Sequence, residues 1–359
     1  MDTFEILKKL TETPGPSGNE GGIAHVIAEL WQPYVDSVTV DRVGSLIAVR
    51  NGQGKAPRQR LLLAAHMDEI GLMVRQIVSH NGYGFLRVTN VGGVDIRQIY
   101  AQQVVVHGRQ ELPGVLGCLP PSMLPEEKQN KPYDYEDLVV DVGLPAEEVE
   151  KLVSVGDFVS FRQPLHQLLG KRVAGKSLDN RASVTAVTLC LHYLAQRTHT
   201  WDIIAVATAQ EETRLLGAYT SAFSQRPDAA VAIDVTFGKG PGVNDANAFE
   251  LGGGPTIDWG PNVHPGMYRA LKEAADAIEL PVHTATHSRY SGTDAFGLQI
   301  AREGIPTGLV GIPLRYMHTM VETADLTDIE RTGRLLAEFI TRLDDKFLES
   351  LAAGMMEEK

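Results

Sequence analysis

Cysteine is scarce in this chain of 359 residues, which has two, Cys118 and Cys190. They lie in segments of different character with no CxxC spacing, so neither a disulfide framework nor a thiolate metal centre is expected. Long apolar runs are missing too. No stretch approaches the roughly 18 residues of a membrane span, and the N-terminal MDTFEILKKL is acidic where a signal peptide needs a basic start and an apolar core. A soluble, cytoplasmic protein without a membrane partner is the expectation. Positive charge is in deficit, with 33 Lys plus Arg against 45 Asp plus Glu and a net charge of -12. That balance argues against an electrostatic nucleic-acid binder. Aromatic residues make up only 6%, poor support for an aromatic-lined sugar cleft.

What is present is a large apolar fraction, 43%, enough for a sizeable core and two domains. Segments 3–12 and 19–33 have helical spacing. A hairpin with its bend at Gly44 follows over 38–50, and then a strand ending at His66. From about Leu72 to Leu168 the pattern changes to short alternating runs such as LMVRQIV, GFLRVTNV and QQVVVHG, divided by Gly and Pro, with one helical turn at PAEEVEKL. This reads as a small β-barrel or sandwich inserted into an α/β domain, with 119–137 an exposed loop inside it. After Gly170 the α/β rhythm resumes, with helices from Asn180, after Pro265, after Thr293, and from about Leu326 to Leu351. The expected architecture is therefore α/β, a doubly wound mixed sheet with helices on both faces, formed by 1–71 and 169–359. Residues 72–168 form the inserted β-rich unit.

Five short segments then stand out: LLLAAHMDEIG, KSLDNRAS, IIAVATAQEET, AAVAIDVTFG and GLVGIPLRYMHT. Four place a His, Asp or Glu just after a buried apolar run. In a doubly wound sheet such groups gather at the strand carboxyl ends. Two His and several carboxylates without Cys suggest a centre for hard or borderline metals held through N and O. His66 and Asp68 are two apart, so on an extended segment they face the same way, and Asp68 suits the second ring nitrogen of His66. Asp179 precedes a helix and, taken singly, reads more simply as its N-cap. As a carboxylate shared by two cations it becomes a competing reading. Glu211 and Glu212 end an apolar strand. They are either solvated acids opening the next helix or a ligand beside a proton acceptor, since adjacent buried like charges are costly without cations. Asp234 ends AAVAI. His318 follows the last apolar run, whereas the other histidines, His287 among them, read as structural.

HMDEIGLMV, SLDNRAS, AQEETRLLGA, AIDVT, GTDAFGLQIAREGIPT and YMHTMVE occur in that order, with a β-rich insert between the first two. In this the chain resembles the M42 family of metallo-aminopeptidases, some of which carry endoglucanase labels, over essentially its whole length. The resemblance implies two divalent ions per subunit, zinc or cobalt. His66 and Asp234 would hold one, Glu212 and His318 the other, with Asp179 bridging, Glu211 as general base and Asp68 orienting His66. It implies a cis bond between Asp179 and Asn180, hydrolysis of N-terminal residues from peptides, and self-association into a homododecamer through the inserted unit. A deacylase using the same metals is the alternative. A glycoside hydrolase would not need these histidines and aspartates together. Segment 286–296 is expected near the substrate, where Arg289 either favours acidic side chains or lies on the surface.

Overall fold

The buried apolar runs form the centre of an eight-stranded sheet in the computed structural model of the protein, which describes residues 1–244 and 248–354. Helices α1 (Thr3–Glu12) and α2 (Gly21–Trp31) precede a hairpin of β1 (Ser37–Val40) and β2 (Leu46–Arg50), followed by β3 (Arg60–His66). The hairpin turns at Gly44, whose φ of 111° is open to glycine at little cost. The Asp41 side chain accepts from the N–H groups of Val43, Gly44 and Ser45 across this turn.

Six strands then close an antiparallel barrel. They are β4 (Gly71–His80), β5 (Tyr83–Val91), β6 (Gln103–His107), β7 (Glu111–Cys118), β8 (Leu138–Pro145) and β9 (Phe158–Phe161), and helix α3 (Ala146–Leu152) packs beside them. After β10 (His166–Gln167) and β11 (Arg172–Gly175) come α4 (Leu178–Leu194), β12 (Asp202–Thr208), α5 (Glu211–Arg214), α6 (Leu216–Gln225) and β13 (Ala229–Phe237). The chain continues with β14 (Thr256–Trp259), α7 (Pro265–Ala277), β15 (His283–Thr286), α8 (Asp294–Gln299) and β16 (Thr307–Leu314). It then passes through β17 (Glu322–Asp325), α9 (Leu326–Arg342) and α10 (Phe347–Gly354).

The main sheet runs β1-β2-β12-β3-β13-β16-β14-β15. Its four central strands, β12, β3, β13 and β16, are mutually parallel, while β2 and β14 join them antiparallel. Alternation along each central strand divides the core in two. Leu61, Leu63, Ala65, Ile203, Ala205, Val231 and Ile233 face one way, with side chains of α1, α2, α4 and α9. Leu62, Ala64, Ile204, Val206 and Ala232 face the other, under α6 and α8. Burial on both faces accounts for strands that read as continuous apolar runs. The barrel has its own core of Leu72, Val74, Leu86, Val104, Val106, Leu116, Val140 and Val159. Met320, from the segment between β16 and β17, also enters that core.

The final helix differs from expectation. Instead of one helix to Leu351, α9 ends at Arg342 and Leu343 turns to an extended ψ of 125°. Side chains capture the carbonyls there: Thr200 Oγ1 donates to Leu343 O and Trp201 Nε1 donates to Asp344 O. Asp344 then accepts from the Lys346 N–H and starts the new turn. Cys190 is a buried free thiol, and Cys118 is only partly buried.

Candidate metal centre at the strand ends

Parallel strands deliver their carboxyl ends to the same edge, and β3 is flanked by β12 on one side and β13 on the other. The chain therefore reverses its direction of winding at β3, where open α/β sheets form a crevice. His66 is the last residue of β3, Glu211 and Glu212 follow β12, Asp234 lies in β13 and His318 follows β16. Asp179 arrives from β11 through a turn in which Ser177 has φ of 59°. The peptide bond from Asp179 to Asn180 is cis.

The seven residues singled out from the sequence lie in one cluster. The His66 Nε2 atom is 3.1 Å from Asp179 Oδ1, 3.7 Å from Glu211 Oε2 and 3.9 Å from Asp234 Oδ1. On the far side of the same carboxylate, His318 Nε2 is 3.3 Å from Asp179 Oδ2 and 3.4 Å from Glu212 Oε2. Both Asp179 oxygens thus face imidazoles, and the first residues of α4 have non-helical backbone angles, so the N-cap reading of Asp179 does not describe its carboxylate. Glu211 and Glu212 do open the short helix α5, yet their side chains are only 10% and 4% exposed. They are not solvated acids. Two groups offer converging donor atoms, His66 with Glu211 and Asp234, and His66 with Asp179 and Glu212.

Asp68 is fully buried and has two tasks. Its Oδ1 is 3.4 Å from His66 Nδ1, and its two oxygens accept from the N–H groups of Glu211 at 3.0 Å and Glu212 at 3.1 Å. Burial pushes its carboxyl up, but His66 and the Glu211 N–H outweigh burial and hold it below the usual carboxylate range. Burial likewise raises Asp179, and the two histidines more than reverse it. Glu211, Glu212 and Asp234 are pushed well above their usual range, first by burial and then by each other's and Asp179's negative charge, which His66 only partly offsets. A set of two imidazoles, buried His66 and half-buried His318, with four largely buried carboxylates and no Lys or Arg among the groups just described, suits divalent cations bound through N and O.

These residues line a cavity of about 900 Å³, together with Phe237, Phe249, Asp258 and residues 285–293. Arg289 lines this cavity and is exposed, at its rim rather than apart from it. His287, read from sequence as structural, also lines it, and its Nε2 is 2.6 Å from Asp258 Oδ2. That hydrogen bond holds the imidazole pKa above its ordinary value against partial burial.

A family model described as M42 glutamyl aminopeptidase matches residues 44–335. The chain belongs to the M42 aminopeptidase family. A lysyl aminopeptidase of Pyrococcus furiosus is 37% identical over 348 residues, covering 96% of this chain and 98% of that one. The TET aminopeptidase structure from the marine sediment archaeon Thaumarchaeota archaeon SCGC AB-539-E09 superposes with a TM-score of 0.90 at 29% identity, over 97% of this chain and 98% of its own. The TET1 peptidase of Pyrococcus horikoshii, a structure described as assembling into a tetrahedron or a large octahedral shell, has a TM-score of 0.82 at 31% identity. That match covers 95% of this chain and 100% of the other. M42 peptidases are metal-dependent, and this M42 chain carries candidate His and carboxylate groups for the metal. Among the described residues no helix is long and apolar enough to cross a membrane.

Three further carboxylates surround the M42 centre, and of these only Asp294 lies in a segment, 286–296, that the sequence placed near the substrate. Glu322 Oε2 accepts from the Asp179 N–H at 3.0 Å, and its Oε1 accepts from the His318 N–H at 2.8 Å. Asp294 accepts from Thr208 Oγ1, while its other oxygen is buried without a hydrogen-bond partner. Burial pushes the Asp294 carboxyl up to about 6. Asp258 sits in the cavity wall. None of the three follows an apolar run as directly as His66 or Asp234 does, which is why the strand-end signal missed them.

Proposed function

We propose that the protein is an aminopeptidase that removes N-terminal residues from peptides at a centre for two divalent cations, zinc or cobalt. The observation that carries this is the two-sided Asp179 carboxylate, with one oxygen at His66 and the other at His318. His66 and Asp234 would hold one ion, Glu212 and His318 the other, and Asp179 would lie between them. When bound, such ions polarise a carbonyl and lower the pKa of water toward neutrality.

The protein's own groups do the rest. Glu211 borders the crevice beside His66 and Asp234, and burial raises its proton affinity, which suits a carboxylate that takes a proton from water and passes it to the leaving amine. Asp68 fixes the His66 ring and, through two backbone N–H groups, the start of α5 that carries Glu211 and Glu212. The free amine of the substrate would lie against the carboxylate-rich wall, its first side chain toward Asp258, His287 and Arg289. The barrel, residues 72–168, would serve as lid and as the surface for self-association into a dodecamer, in a cytoplasmic setting.

Aminoacyl-p-nitroanilides assayed with zinc, cobalt and manganese test this reading. Release of nitroaniline from the free-amine compounds, with none from their N-acylated forms, is the expected result. Cleavage of acylated amino acids alone would make the protein a deacylase, and cleavage of β-glucan alone a glycoside hydrolase. Mass photometry of the intact chain should give a particle of twelve subunits.

A further inference from the structure

We propose that Glu322 is a positioning residue for the His318 half of the centre, one carboxylate that holds the backbone N–H groups of both Asp179 and His318. This rests on the function proposed above. The chain brings Glu322 there by strand pairing: β17 runs beside β11, and Glu322 is opposite Gly175, two residues before Ser177 and the turn into Asp179. From that register its two oxygens diverge, one to each backbone N–H. Glu322 is 2% exposed, so neither bond has to compete with bulk water.

His318 needs such a hold. It lies outside any strand or helix, between β16 and β17, with φ of 62°, a left-handed conformation that an L-residue adopts only where its surroundings enforce it. Tyr316, two residues before, has φ of 59°. Below the ring, Gly93 leaves space that no other residue could, since an added Cβ would lie 2.5 Å from His318 Nδ1. Next along the segment, Met320 is anchored in the barrel core. The ring thus rests on Gly93, the following segment on Met320, and the backbone on Glu322. The same device appears on the other side of the crevice, where Asp68 takes the N–H groups of Glu211 and Glu212. Two buried carboxylates each pin the backbone of two residues that frame the cations.

Two measurements test the clamp. In metal-stripped parent protein, amide hydrogen exchange at His318 should be markedly slower than at Tyr316 and Met317 in the same segment. Equal exchange at all three overturns the clamp, whatever the metals do. The second measurement titrates the parent and Glu322→Gln with cobalt alone by calorimetry. Gln is isosteric but can offer only one acceptor, so one of the two binding events should weaken by roughly 10- to 100-fold while the other is unchanged. The kcat for an aminoacyl-p-nitroanilide should fall with KM preserved. Two unaltered binding events and unaltered kcat in the variant overturn the proposal. A parent that binds fewer than two ions overturns the two-cation function instead, and the exchange experiment then decides the clamp by itself. Should Glu322→Gln not fold, the exchange result on the parent remains decisive.

Discussion

The sheet and the barrel are both built from short apolar strands, yet they treat polar groups in opposite ways. Within the barrel strands the only buried polar side chain among the described residues is Ser160, whereas the α/β region buries His66, Asp68, Glu69, Lys176, Asp179, Arg181, Asp234, Asp294 and Glu322. The difference follows from strand direction. Parallel strands place all their carboxyl ends at one edge, so groups far apart in sequence converge there. Antiparallel strands send their connections alternately to opposite ends, and no comparable cluster forms. Chemistry can be concentrated in the first region, and its cost in buried charge is borne there as well. The barrel is left free to be a plain apolar structure that meets the centre where Gly92 lies against Glu212 and Gly93 against His318, and where Met320 enters its core.

The strongest way to break this comparison is Glu211→Gln. Turnover should fall by at least about 10²- to 10⁴-fold, the usual contribution of a general base, with metal content retained, whereas Glu212→Gln should lose metal as well. Equal metal loss in both variants, measured by elemental analysis, would remove the distinction between ligand and base. In the barrel, Leu116→Ala should cost about 2 to 5 kcal/mol of stability by leaving a cavity, with kcat of the folded protein unchanged. A kcat that falls in step with stability would show that the barrel shares in the chemistry.

Asp294→Asn sharpens the electrostatic side. A carboxyl whose folded pKa is about 6, above its unfolded value, favours folding only while it is protonated, so its contribution is complete below about pH 4 and is lost as pH rises through about 6. In metal-free protein the variant should therefore be more stable than the parent at pH 7, by on the order of 3 kcal/mol from 1.36 kcal/mol per pKa unit, and equal to it near pH 4. A gain that is the same at both pH values in urea unfolding would refute burial of charge as the cause. The smallest expected effect is that of Asp68→Asn, a loss of roughly 10- to 100-fold in metal affinity or turnover. Unchanged affinity would reduce Asp68 to a loop residue.

The sequence by itself determined the sheet and its edge. Runs such as LLLAAH and IIAVAT can be buried only on two faces, and a polar residue directly after each run lies toward the strand's carboxyl end, so His66, Glu211, Glu212 and Asp234 were legible as one edge, although β13 continues past Asp234 to Phe237. The change to short alternating runs after Leu72 likewise exposed the barrel. Tertiary structure alone decided the rest. Asp179 as N-cap and Asp179 between two imidazoles have the same local sequence, and only the placement of His66 and His318 on either side separates them. Glu322 and Asp258 gained their positions through pairing of strands far apart in the chain, β17 with β11 and β14 with β16. The break at Leu343 came from Thr200 and Trp201, more than a hundred residues away. Burial and period are local properties that a sequence carries openly. Which carboxylate faces which nitrogen or N–H depends on strand register and loop conformation, and these are settled only when the whole chain packs.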